Sequence, residues 1–325
     1  MGWFAFDALE RCYMLRRIAP AVLTVAVSAV ALTGCSSIDA GEVDRGECTS
    51  SLGAGALSDN VVVLGGFGTA PEVSIPADTK ITSSQRTVVD DSGVRAGTKV
   101  AGNDTIASVN FAFYDQETGE QLFASSGFGG AADTNEFFLL SEEAMNPLSA
   151  AVQCAVPGER VVLALSPQDA LPLRQQLGGT PDSALVAVMD VEAVAGFTAE
   201  GNAKGLPNGF PAVVTDENGQ PGLVLPPRSA PVGLTSAVRI AGDGEDVTAE
   251  GRLLVQMLAV SWDGSVLTNT WADGNPQLLP GETEAAGQGL AFRADLTGVP
   301  VGSQVVITEG GDNARVIVLD ILAAG

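Results

Sequence analysis

Val109-Asn110-Phe111, an acidic turn closed by Gly119, and then Phe123-Ala124-Ser125-Ser126 return later in the chain as Val255-Gln256-Met257, the turn Asp263-Gly264, and Leu267-Thr268-Asn269-Thr270, the opening strands lying at an offset of 146. Each passage reads as an apolar strand, a turn at which glycine relieves the backbone, and a second short strand. Other segments recur around them in the same order. Pro71-Glu72-Val73-Ser74-Ile75-Pro76 is echoed by Pro221-Gly222-Leu223-Val224-Leu225-Pro226 at an offset of 150. Val156-Pro157-Gly158-Glu159-Arg160-Val161-Val162 matches Pro300-Val301-Gly302-Ser303-Gln304-Val305-Val306 at 144, and Ala184 to Val191 matches Ala314 to Ile321 at 130. Four ordered matches with shrinking offsets mark a duplicated unit. A Gly, Asn and Pro rich stretch from Gly196 to Pro211 separates the copies.

Outward from these matches the chain is mostly strand, because short Val, Ile and Leu runs alternate with Gly, Pro, Asp and Asn clusters. The clearest runs are Ala107 to Tyr114, Arg160 to Leu165, Ala184 to Val191, Leu253 to Val260, Gln304 to Thr308 and Arg315 to Leu322. Helical periodicity is weak and local, chiefly Ser141 to Cys154. An immunoglobulin-like sandwich would also explain repeated strands, and that helix argues against it.

The N-terminus predicts export. Arg11, Arg16 and Arg17 precede an apolar run from Ile18 to Val30 that ends in Leu32-Thr33-Gly34-Cys35. A positive patch, an apolar stretch shorter than the roughly 20 residues of a membrane span, and small residues before a cysteine form a lipoprotein signal peptide over 1–34. Cys35 then carries the lipid, and residues 35–60 form a tether on the outer face of a membrane. Translation starts at Met1 or at Met14, which stands directly before Leu15-Arg16-Arg17.

Composition narrows the chemistry. The 325 residues suffice for two domains of ordinary size. Sixteen basic against 39 acidic residues, a net charge of −23, argue against nucleic acid as partner, since that needs clustered Lys and Arg. With no histidine in the sequence, Ser-His-Asp and Cys-His nucleophiles and histidine-ligated metals are excluded. No cofactor or metal is expected. Of the four cysteines, Cys12 leaves with the signal and Cys35 takes lipid, so Cys48 and Cys154 are expected to pair outside the membrane.

Each copy thus runs strand, acidic Gly turn, a Phe-Asp-Ser-Ser-like stretch, short helix, Val-Gly-x-Arg strand and a final Val-Val-Asp-Leu-Leu-like strand. That order resembles the FK506-binding-protein (FKBP) family of peptidyl-prolyl cis-trans isomerases, over roughly residues 60 to 325 in two copies. The resemblance implies an α+β fold with two tandem FKBP-like domains, 61–196 and 197–325, each an antiparallel half-barrel sheet wrapped around a short helix. It implies an isomerase that assists the folding of proline-containing exported polypeptides or, alternatively, a non-catalytic chaperone or adaptor. Carried over residue by residue, the substrate-binding surface falls on Phe111, Phe123, Phe138, Met145, Leu148 and Leu171 of the first copy. Ala124 stands where the family has an aspartate, and Leu171 where it has a tyrosine. In the second copy the corresponding positions are Met257, Leu267 and Phe292, and the loop before the last strand is much shorter. The sequence leaves open whether either copy is catalytic; any activity is expected to be weak and to reside in the first copy.

Overall fold

Central strands covered on both faces read as unbroken apolar runs, whereas half-covered ones alternate. Arg160–Leu165 and most of Thr105–Asp115 are buried at every position, so something must cover each side of their sheet. The computed structural model describes residues 44–95, 98–129, 135–142 and 145–325. Cys35 and the predicted signal peptide lie outside the described residues.

The elements follow in two runs. The first comprises β1 (Val62–Leu64), β2 (Glu72–Ser74), β3 (Gln85–Asp90), β4 (Thr105–Asp115), β5 (Gln121–Ala124), β6 (Glu136–Leu140), α1 (Pro147–Val152), β7 (Arg160–Leu165), α2 (Pro167–Leu177) and β8 (Leu185–Gly196). The second comprises β9 (Asn202–Ala203), β10 (Ala212–Thr215), β11 (Pro221–Val224), β12 (Leu234–Ala241), β13 (Leu253–Ser261), β14 (Val266–Asn269), α3 (Thr270–Asp273), β15 (Gln277–Leu279), α4 (Glu282–Gly287), β16 (Gln304–Glu309) and β17 (Arg315–Ala324). Four α-helices beside antiparallel sheets, among the described residues, make the fold α+β.

Two sheets share one strand order. The first runs β3-β7-β8-β4-β5 with β6 also on β4; the second runs β12-β16-β17-β13-β14 with β15 also on β13 and β9 added at the β12 edge. Each is preceded by a separate two-stranded hairpin, β1–β2 or β10–β11. One face of the first sheet packs Phe111, Phe113, Leu163 and Met189 against Ala151 and Val152 of α1 and Ala170 of α2. Its other face packs Tyr114, Val162 and Val188 against Leu57, Val61 and Ile81, with Val63 and Val73 of the hairpin. The second sheet repeats this, with Phe292 and Leu296 on one face and Val213, Leu223, Trp262 and Trp271 on the other. Ile106, Leu254, Leu322 and Ala323, with Phe137, Leu139 and Phe197, join the two sheets.

Three details recur in both copies. Phe111 N donates to Ser125 Oγ at 3.0 Å, and Ser125 Oγ donates to Asn110 Oδ1 at 3.1 Å. Met257 N donates to Thr270 Oγ1 at 2.8 Å, and Thr270 Oγ1 donates to Gln256 Oε1. A buried hydroxyl thereby satisfies a strand N–H beyond the reach of the neighbouring short strand. Gly158 and Gly302, on which the copies align, have φ of +95° and +87°, where any other residue is strained. A Cβ on Gly158 would also stand 2.1 Å from the carbonyl carbon of Gly93.

The third detail is an aspartate whose partner has changed. Asp190 binds Arg160 through two oxygens at 2.6 and 2.7 Å, and Arg160 donates onward to Gly65 O and Thr69 O, pinning the β1–β2 loop to the sheet. Both side chains are within 1% of full burial. Asp320, its counterpart, accepts from Gln304 Nε2 and from Ala199 N, each at 2.7 Å. Burial pushes the Asp320 carboxyl up to about 6.

Two helical expectations need correction. Among the described residues, the α-helix within Ser141 to Cys154 is confined to Pro147–Val152, because Asn146 caps the N–H groups of Leu148 and Ser149 and Pro147 takes the first helical position. The helix stops where Cys154 takes a left-handed φ of +63°. A second helix, α2, was absent from the periodicity reading. Its start is nonetheless written in Ser166-Pro167-Gln168-Asp169, where Ser166 Oγ accepts from Asp169 N.

Candidate functional site

The helix-covered face of the first sheet carries four phenylalanines. Phe111 and Phe113 alternate on β4, Phe123 lies opposite Phe113 on β5, and Phe138 lies on β6 opposite Ala107. The Phe111 ring centroid is 5.6 Å from Phe123 and 5.8 Å from Phe138, the latter pair stacked at 30°. Phe113 meets Phe111 edge-on at 5.2 Å. Contacts of this kind hold rings in fixed mutual positions. Phe111 and Phe113 are buried at 8% and 3% exposure and Phe138 is half-buried, whereas Phe123 is 39% exposed and is the most open of the four.

Of the six sequence-derived substrate positions, the structure therefore brings Phe111, Phe123 and Phe138 into ring contact. Leu148, in the first turn of α1, packs against the same core. Met145 is half-buried just ahead of the Asn146 cap. Leu171 is 56% exposed on α2, where Leu173 and Leu177 make the core contacts. Phe113 was missed, although its two-residue spacing from Phe111 places it on the same face.

Two devices fix this surface. Asp115, at the end of β4, accepts from Thr180 N at 2.7 Å, from Arg174 Nη1 at 3.0 Å and from Thr118 N at 3.1 Å, tying the end of α2 to the β4–β5 turn. Burial alone would push its carboxyl up, but the N–H groups of Thr180 and Thr118 and the Arg174 guanidinium hold it well below the usual carboxylate range. On the other side Cys48 and Cys154 form a disulfide with Cα atoms 5.6 Å apart. Arg45 pairs with the buried Glu159, and Ser51 N donates to Gln153 Oε1 at 2.9 Å. The segment from residue 44 is thereby fastened to the end of α1.

The second sheet has no such surface among the described residues. Met257 takes the place of Phe111 at 9% exposure, Leu267 is 54% exposed, and Phe292 is buried at 1%. Residues 166–184, which carry α2, are reduced to the turn 310–314. Among the described residues no three His, Cys, Asp or Glu side chains are grouped to hold a metal, and no helix is long and apolar enough to cross a membrane.

No protein-family model and no curated protein matches the chain. Among solved structures, the three FKBP domains of wheat FKBP73 are similar over 75% of this chain and 95% of theirs, at 14% identity and a TM-score of 0.30. The N-terminal domain of FKBP42 from Arabidopsis thaliana is similar over 39% of this chain and 98% of its own, at 12% identity and a TM-score of 0.28. FkpA from Escherichia coli is similar over 34% of this chain and 51% of its own, at 16% identity and a TM-score of 0.23.

Proposed function

We propose that the chain is an FKBP-type peptidyl-prolyl isomerase-like lipoprotein, held through Cys35 on the outer face of a membrane, that assists exported proline-containing polypeptides in folding. In this reading each sheet with its helix is an FKBP-like half-barrel, and the first one holds the substrate. The observation that carries the reading is the contact of Phe111, Phe123 and Phe138 beside Leu148, with Phe123 open to solvent.

The chemistry asked of such a surface is modest. Rotation about a prolyl bond is opposed by roughly 18–20 kcal/mol because the planar amide is resonance-stabilised, and the twisted amide has lost that charge separation. An apolar aromatic wall binds the twisted form better than the planar one and needs neither acid nor nucleophile. The uncatalysed step takes tens of seconds, long enough to limit folding outside the membrane.

Full-length protein in detergent micelles, added to a proline-limited refolding substrate, tests this. Acceleration that Phe123→Ala abolishes supports the isomerase. A second reading, a chaperone or adaptor that holds unfolded segments without isomerising them, is favoured by the exposure of Phe123 and Leu171 and by Ala124 in place of a carboxylate. Suppressed aggregation without acceleration would select it.

A further inference from the structure

Away from the phenylalanines, a cleft of about 560 Å³ opens between the two sheets. That volume lies within the roughly 300–1,000 Å³ of small-ligand sites. Ile106 and Ser108 of β4, Glu192 to Gly196 at the end of β8, Asp243 to Glu245 after β12 and Leu322 to Ala324 of β17 supply most of its walls. Neither sheet makes the cleft alone.

Its charges do not balance. Lys99 is the one cation among the described lining residues, and it already pairs with Glu200. Glu192, Asp243 and Glu245 are left without a cation in the cleft. Glu192 is half-buried and accepts a single 3.2 Å bond from Asn110 Nδ2. Burial pushes its carboxyl up, the charges of Asp190 and Glu245 add to this, and the Asn110 bond and the Arg160 charge oppose it.

A second observation is independent of the charges. Ser108 is 1% exposed, lines the cleft, and its Oγ has no hydrogen-bond partner among the described residues. Buried hydroxyls are rarely left so, and an unmet one in a cleft wall calls for a partner. Beside it Ile106, Val194, Leu322 and Ala323 form an apolar strip.

We propose that this cleft binds the cationic side chain of a polypeptide, Lys or Arg, with the aliphatic stem on that strip and the charged head among Glu192, Glu245 and Ser108. Such side chains carry an apolar stem and a donor-only charged tip, which this combination of strip, carboxylates and hydroxyl complements. A bare metal ion would gain nothing from the strip, and the carboxylates are not grouped to ligate one among the described residues.

The test is titration of full-length protein in micelles with N-acetyl-lysine methylamide, N-acetyl-arginine methylamide, the neutral norleucine analogue, spermidine and Ca²⁺, followed by calorimetry and by the amide NMR signals of Ser108, Glu192 and Ala323. Saturable binding of the lysine or arginine compound is expected, at least tenfold tighter than norleucine, with Ser108→Ala weakening it about threefold and Glu192→Gln about tenfold. Glu245 is exposed, so Glu245→Lys leaves the fold intact and provides the decisive variant if Glu192→Gln misfolds. Phe123→Ala should leave this binding unchanged, which separates it from the proposed isomerase surface. Norleucine binding as well as lysine, spermidine or Ca²⁺ binding more tightly than either amino-acid compound, or Glu245→Lys without effect would each overturn the assignment.

Discussion

The two sheets share strand order, a hydroxyl lock and a positive-φ glycine, yet only the first keeps a cluster of rings and an α2. The architecture tolerates that difference because the lock and the glycine serve the backbone, while the rings serve a surface. Where Phe111 gives way to Met257, the core is still filled and the position remains buried. Where α2 gives way to residues 310–314, strands β16 and β17 are simply joined by a tight turn. What the second sheet lacks is therefore what the proposed site rests on and the fold does without.

The aspartate pair offers the largest effect with which to break this comparison. Arg160→Met should cost about 3–5 kcal/mol in denaturant unfolding, because it leaves Asp190 charged and buried. Gln304→Leu, the corresponding change, removes the donor to Asp320 and the acceptor of Arg239 and should cost about 1–3 kcal/mol. Equal costs would mean that the two aspartates do the same work.

Asp320 adds a pH signature to the same contrast. Its folded pKa of about 6 stands above the ordinary 3.8, so the folded state keeps a proton that the unfolded state has released between those values. The contribution of Asp320 to stability is then full below about pH 4 and falls by about 3 kcal/mol as pH rises through 6. Asp320→Asn should flatten that slope and stabilise the protein near neutral pH; a thermal melt series from pH 4 to 8 reads both.

Asp115 works in the opposite sense. Its lowered pKa contributes stability that is present above the ordinary carboxylate range and lost as pH falls through it. Asp115→Asn should cost about 1–3 kcal/mol at neutral pH and make the acid limb shallower. Ser261, the corresponding residue of β13, bonds only within its own turn, and Ser261→Ala should cost well below about 1 kcal/mol. Phe123→Ala should lower stability by only about 1 kcal/mol, since the ring is already partly in water.

Much of the fold was legible because the central strands must be apolar on both faces. Arg160–Leu165 was bounded correctly from sequence, and the Leu253, Gln304 and Arg315 runs came within two residues of β13, β16 and β17. The helices were harder. Six residues of α1 carry too little periodicity to place without its Asn146-Pro147 start, and α2 buries only Ala170 fully, so its apolar stripe is faint. The hairpins were visible as repeated Pro-bounded segments, but their place over the second face was not, because a three-residue strand does not say what it covers. Phe111, Phe123 and Phe138 were chosen as rings at family positions, and they do meet. Ring type gave no means of telling exposed Phe123 from buried Phe113, which depends on the edge position of β5.

The claim that the first sheet carries the function and the second is structural is tested most directly by prolyl isomerisation. Wild-type chain, Phe123→Ala and Leu267→Ala would be compared on one proline-limited refolding substrate. Acceleration lost in Phe123→Ala and kept in Leu267→Ala is the predicted result; equal loss in both variants, or acceleration untouched by Phe123→Ala, would contradict it.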